Sequence, residues 1–123
     1  MSTAIKILQK DFLQQPIPHI SDTPFKIISE EKLEHDAEMH TDVTDLFYLL
    51  RGSLQFICNG KLICPTKTPD DPKTFIAKNI KGGKKFLLKP HDWLVIPAQC
   101  PHQRITLKKS LFIIIKIPTN QKS

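Results

Sequence analysis

Residues 90–102, Pro-His-Asp-Trp-Leu-Val-Ile-Pro-Ala-Gln-Cys-Pro-His, constrain the fold more than any other stretch of the chain. Trp93, Leu94, Val95 and Ile96 form a short apolar run, entered through a turn-forming Pro-His-Asp and closed by Pro97. That is the pattern of a buried strand between two turns. His102 stands at the end of the exit, directly after Pro101. Prolines fix φ and strip the backbone of freedom, so this histidine is preorganised before any ligand arrives. Residues of matching chemistry lie about sixty positions earlier, in Glu38-Met39-His40 and Asp45.

Strand periodicity organises the rest. Residues 32–40 read as a strand, in which Asp36, Glu38 and His40 share one face while His35, Ala37 and Met39 share the other. Glu38 and His40 therefore point together; His35 is turned away and, like His91, is expected at the surface. Residues 45–51 are aromatic-rich strand sequence with Asp45, Phe47 and Leu49 on one face, and Gly52 gives the tight turn into residues 53–58. Asn59-Gly60 is a strong hairpin signal and predicts residues 61–64 as the returning partner strand. Residues 65–80 carry Pro65, Pro69 and Pro72 over a polar stretch, too long for an ordinary connection, and are expected as a loop over or beside one end of the fold. Strands over 84–89, 105–107 and 111–117 complete the chain. Phe47, Leu49, Phe56, Trp93 and Phe112 are the predicted core, and Tyr48 is placed on the outer side for sheet packing or a dimer contact. Near the N-terminus, Ile5, Leu8 and Phe12 have the spacing of one helical face, although Ile5 to Leu8 also suits a strand. Pro16, Pro18 and Pro24 then break regular structure. The predicted division is an N-terminal helix or arm over 1–24, a barrel over 25–118 and a tail over 119–123.

The two polar segments resemble the paired motifs of the cupin superfamily, small double-stranded β-helix (jelly-roll-like) barrels that often hold a metal. The first motif runs His-x-His, three or four residues, Glu, six residues, Gly; Glu38-x-His40, four residues, Asp45, six residues and Gly52 answer it. The second runs Gly, five residues, Pro-x-Gly, two residues, His; His91, five residues, Pro97-Ala98-Gln99, two residues and His102 answer that. Spacing is kept while Glu38, Asp45, His91 and Gln99 depart from the usual identities. With the Pro-rich insertion and Ile80-Lys81-Gly82-Gly83, the chain also looks like small single-domain cupins with a long inter-strand insertion. The resemblance implies an all-β barrel, a metal held by Glu38, His40, Asp45 and His102, and a homodimer formed through outer strands.

Chemistry supports the same four residues. Asp36, Glu38 and Asp45 are expected near one another if the barrel forms, with Asp42 close in sequence; carboxylates within a few ångström repel unless a cation relieves them, and a divalent metal is the simplest relief. Two imidazoles and two carboxylates suit Fe(II), Mn(II), Ni(II) or Zn(II) with positions left for water or substrate. The plain alternatives are a surface histidine in a Pro-rich turn for His102, a solvated strand end for His40, and exposed acids for Glu38 and Asp45. Cys100 has no evident base and reads as a packed thiol.

The net charge of +6 raises nucleic-acid binding, but the lysines cluster over 73–89 while eight of the twelve acids lie between Asp22 and Asp45. No helix-turn-helix, zinc-finger or stacking motif accompanies them, so a solvated face or attraction of an anionic ligand accounts for the lysines. Three cysteines without a Cys-x-x-Cys pair speak against a disulfide framework. No run of eighteen apolar residues and no secretory leader pattern is present, so the expectation is a cytoplasmic protein. Two functions remain in view: a metal-dependent oxygenase, isomerase or lyase acting on a small, anionic organic molecule, or a non-catalytic module that binds one.

Overall fold

The computed structural model describes residues 25–119 together with Lys6; the N-terminal helix or arm and most of the C-terminal tail lie outside the described residues. Thirteen strands, numbered in chain order, form three antiparallel sheets. The first sheet has the order β1 (Phe25–Glu30), β13 (Ser110–Pro118), β4 (Val43–Arg51), β11 (Trp93–Ile96). The second has the order β10 (Lys84–Leu88), β5 (Leu54–Cys58), β12 (His102–Thr106), β3 (Ala37–His40), β8 (Thr74–Ala77), β7 (Thr66–Lys67), with β2 (Leu33–Glu34) beside β12. A small ribbon pairs β6 (Lys61–Leu62) with β9 (Ile80–Lys81). No described residue is helical, and no helix among them is long and apolar enough to cross a membrane.

The chain repeatedly switches sheets, from β3 to β4 to β5 and again from β10 through β11 and β12 to β13. Each crossing sends alternate side chains of both sheets inward, so the core lies between them. Phe47, Leu49, Ile96, Phe112 and Ile114 from the first sheet meet Leu54, Phe56, Cys58 and Leu88 from the second. The Phe47 and Phe56 rings join the sheets edge to face at 4.7 Å. Burial and its neighbour Cys100 push the Cys58 thiol up to about 12, so Cys58 serves as an apolar filler.

Gly52 makes the crossing from β4 to β5 at φ +86°, and a Cβ there would stand 2.5 Å from the Lys109 carbonyl oxygen and 2.8 Å from Ser110 Cα. Gly52→Ala is expected to destabilise the fold by about 1–3 kcal/mol, read as a shift in denaturant midpoint at constant m-value. An unchanged midpoint would show that this crossing yields freely.

Four expectations need correction. Trp93 is not core: it is 57% exposed, because Trp-Leu-Val-Ile is apolar on both faces and β11, at a sheet edge, turns Leu94 and Ile96 inward. The strand predicted over 32–40 breaks at His35–Asp36, so alternation does not carry across it. Residues 61–64 do not return along β5. Both edges of β5 are occupied by β10 and β12, and the turn at Asn59 (φ 72°) and Gly60 (φ 73°) instead delivers β6 to β9. The Pro-rich stretch over 65–80 extends the second sheet through β7 and β8, with β8 paired along β3.

Candidate metal centre

Both motif segments converge on the β3–β12 contact, where His102 pairs with Glu38. His102 opens β12 rather than ending the preceding strand, and is buried. The positions where the cupin motif carries glycine keep glycine's geometry: His91 has φ 77° and Gln99 φ 68°. Left-handed backbone disfavours a Cβ, and hydrogen bonds offset the strain at both. The Gln99 amide donates to the His40 carbonyl at 2.7 Å, tying the second motif's turn to the first motif's histidine. His91 N donates to the Leu49 carbonyl at 2.7 Å, and its Nδ1 meets the Tyr48 hydroxyl at 2.8 Å.

One donor atom from each of Glu38, His40, Asp45 and His102 lies within 4.8 Å of the other three. Glu38 Oε1 stands 3.2 Å from His40 Nε2 and 3.3 Å from His102 Nε2, while Asp45 Oδ2 stands 3.4 and 3.6 Å from the same nitrogens. Ligands about 2.0–2.2 Å from one ion, arranged tetrahedrally or octahedrally, have neighbouring donors about 2.8–3.6 Å apart. The four nitrogen–oxygen separations fall in that interval, while the whole set spans up to 4.8 Å, so a bound ion would draw the donors together.

The far side of each histidine is fixed. His102 Nδ1 donates to the Cys100 carbonyl at 3.0 Å, which turns Nε2 toward Glu38 Oε1 at 3.3 Å. His40 Nδ1 donates to Thr74 Oγ1 at 2.9 Å, and the Thr74 hydroxyl donates to Asp71 Oδ2 at 2.7 Å. Such outer partners set the tautomer and aim of a ligating imidazole. His40 Nε2 is buried between the two carboxylates, with Glu38 Oε1 at 3.2 Å and Asp45 Oδ2 at 3.4 Å.

Electrostatics reinforce the arrangement. Asp45 first, then Glu38, raise the His40 pKa to about 9 against the effect of burial. Burial opposes charge on Glu38, but His102 and His40 hold it well below the usual carboxylate range. Burial likewise opposes charge on Asp45, and His40 together with the Lys116 ammonium holds it low. Lys116 Nζ sits 3.1 Å from Asp45 Oδ1, so one carboxylate oxygen is anchored while Oδ2 faces the histidines. The site is therefore negative enough to hold a proton on His40, and a divalent cation can take that proton's place.

A cavity of ≈ 300 Å³ adjoins the cluster. Glu38 and His102, two of the four donor residues, belong to its wall, together with the apolar Phe47 and Ile76 and the polar His35, Asp36 and Arg104. Asp36 stays out of the cluster and pairs with Lys78 at 3.4 Å. His35 is half-buried, not a bare surface group, and contacts Glu30 and Arg104. Thr74, Asp71 and Lys116 went unnoticed in the sequence, because their places beside His40 and Asp45 arise only from strand pairing and the turn before β8. Thr74→Val should weaken divalent metal binding about 10- to 100-fold in competition with a chromophoric chelator. Unchanged affinity would show that Thr74 leaves His40 alone.

No family model matches the sequence, and no curated protein does. Among solved structures, the chain is similar to hydroquinone 1,2-dioxygenase from Sphingomonas sp. TTNP3 with 4-hydroxybenzoate bound. The TM-score is 0.56 at 6% identity, covering 78% of this chain and 59% of that one. It is also similar to hydroquinone 1,2-dioxygenase PnpCD in complex with Cd2+ and 4-hydroxybenzonitrile. There the TM-score is 0.55 at 17% identity, covering 76% of this chain and 56% of the other. The chain thus spans less than two thirds of the length of either neighbour. At such identity the likeness concerns the fold, which is all-β, antiparallel and cupin-like.

Proposed function

We propose that this protein is a metal-dependent cupin-like enzyme. In this reading Glu38, His40, Asp45 and His102 hold one divalent transition metal, of the Fe, Mn, Ni or Zn group, and a small anionic organic molecule enters the adjoining cavity. The observation that carries the reading is the gathering of His40 Nε2 and His102 Nε2 against two carboxylate oxygens, with all four donor atoms within 4.8 Å of one another. All four donors are nitrogen or oxygen, which suits these metals better than copper(I). When bound, the metal supplies a Lewis acid with positions open to a substrate.

The chain's own residues supply the remainder. Lys116 fixes Asp45, Thr74 fixes His40 and the Cys100 carbonyl fixes His102, so the donors are aimed in advance. Phe47 and Ile76 offer an apolar wall that excludes water from part of the cavity. Its volume is at the small end of ligand pockets, about 300–1,000 Å³, which favours a molecule of one-ring size. The small aromatic ligands of the two neighbours belong to that size class, and an oxygenase reaction is the first to test.

Protein reconstituted anaerobically with Fe(II), then mixed with a panel of hydroxylated benzoates and aliphatic carboxylates, should consume oxygen or alter one of them. Failure to retain any divalent metal would sink the reading. Metal retention, with a ligand bound and recovered unchanged across the panel, would instead establish a non-catalytic binding module.

A further inference from the structure

None of the lysines clustered over 73–89 belongs to the wall of the cavity beside the four donors; among the described residues, its one permanent cation is Arg104. Arg104 and His102 stand two apart on β12, so both side chains leave the same face of the strand, with Cα atoms about 7 Å apart. The register agrees, since His102 pairs with Cys58 and Arg104 with Phe56, and both partners belong to the core between the sheets. Arg104 therefore projects into the same interior as the metal donors.

Most of its guanidinium is already held. Nε and Nη2 form a fork on the buried Glu30 carboxylate at 3.1 and 3.2 Å, and Nη2 also lies 3.0 Å from His35 Nε2. Cζ stands 5.9 Å from the centre of the Phe47 ring and 5.1 Å from that of Phe112, so aromatic faces support the plane of the group. Nη1 makes no hydrogen bond among the described residues. The other polar groups of the wall are engaged elsewhere: Asp36 with Lys78, Glu38 with His40 and His102, and His35 with Glu30. A guanidinium keeps its charge at any ordinary pH and carries its N–H groups in a rigid fork. Its free edge is thus a donor aimed in advance.

We infer that Arg104 determines the specificity of the cavity, its Nη1 edge receiving the carboxylate of a one-ring acid whose opposite end lies toward the metal donors. This rests on the proposed reading of the cavity as the ligand site. Glu30 is then a positioning residue: it fixes the plane of the guanidinium and offsets its long-range field, so recognition comes from directed, charge-assisted hydrogen bonds. An acid is told from its amide on that ground. A carboxylate offers acceptors on both oxygens, whereas an amide offers one uncharged acceptor and turns a second donor group toward Arg104.

Titration calorimetry of the full chain after loading with Zn(II), using benzoate and benzamide as probes at neutral pH, tests the assignment; metal content is measured on the same samples. Wild type should bind benzoate about 10- to 100-fold more tightly than benzamide. The double variant Glu30→Gln, Arg104→Met removes both charges at similar volume and should bind the two probes alike. Arg104→Lys keeps the charge without the planar fork and should lose most of the preference, and it decides the matter if circular dichroism shows the double variant unfolded. Lys85→Ala, at an exposed position outside the wall, should keep the preference whole. Absence of benzoate binding, or equal affinity of wild type for the two probes, would overturn the inference. A preference kept whole in a folded Arg104 variant would overturn it by placing the carboxylate on the metal, and one lost in Lys85→Ala would move it to the surface lysines. Metal content separates this inference from the broader reading. Protein that retains no metal yet prefers benzoate through Arg104 would sink the metal centre alone; protein that retains metal and is indifferent to the acid group would sink the role of Arg104 alone.

Discussion

His102→Ala is expected to leave a folded protein that no longer retains a divalent metal. Wild type should carry close to one ion per chain after metal loading and desalting, whereas the variant should carry none above background. The size of the effect follows from geometry: His102 Nε2 contacts both carboxylate donors, and without it the remaining imidazole and two carboxylates form an incomplete set. Linkage provides a second readout. A ligand bound only by the native state, present at about a hundred times its dissociation constant, stabilises by about 2.7 kcal/mol. For a domain of this size that corresponds to a rise in Tm of about 10 °C. Metal should produce that rise in wild type and none in the variant. The metal-free proteins should differ far less, since His102 belongs to the site and cavity rather than to the cluster around Phe56 and Phe112. Equal metal content, or an equal metal-induced rise, would remove His102 from the ligand set and with it the proposed centre.

The gathering of Glu38, His40, Asp45 and His102 was legible because each is tied to local pattern. Glu38 and His40 stand two apart on a strand, so they share a face whatever the tertiary fold. Asp45 and Phe47 alternate inward on β4, and both are buried as that period demands. His102 was marked by Pro97 and Pro101, and the backbone is left-handed at His91 and Gln99 although neither is glycine. What stayed hidden depends on strands that meet only in three dimensions. Nothing local distinguishes Thr74 from any threonine after a polar turn, and it becomes His40's partner only because β8 pairs with β3. Lys116 reads as an ordinary strand cation until β13 is set opposite Asp45. Trp93 was misplaced for a related reason: where both faces of a strand are apolar, hydrophobicity alone cannot say which face is inside. Glu30 was equally opaque, as an acid at a strand end with two more charged residues close behind it.

Glu30 nevertheless anchors a polar network beside the candidate metal centre. Its side chain is 6% exposed and receives Arg104 through Nε at 3.1 Å and Nη2 at 3.2 Å, with further contacts from Thr106 and His35. Arg104 lies over the Phe47 and Phe112 rings and also forms part of the cavity wall, so the pair fixes the barrel end that the ligand would meet. Breaking a buried pair by deleting one partner leaves an uncompensated charge and destabilises by about 3–5 kcal/mol. Arg104→Ala should therefore lower Tm by roughly 10–20 °C. The double variant Glu30→Gln, Arg104→Met, which removes both charges and keeps volume, should recover most of that loss. The same network predicts an acid dependence. Burial opposes charge on Glu30, yet the Thr106 and Arg104 hydrogen bonds, the Arg104 charge and His35 outweigh it and hold its pKa below 4.5. Because the native state binds this proton less readily than the unfolded chain, the stabilisation is complete above the ordinary glutamate value. It is lost as pH falls below 4.5 toward the depressed native value. Wild type should lose stability between pH 5 and lower values more steeply than Glu30→Gln, in urea titrations of metal-free protein. Parallel pH profiles for the two proteins, or an Arg104→Ala variant as stable as wild type, would show that the pair is solvated in solution and does not hold this end of the barrel.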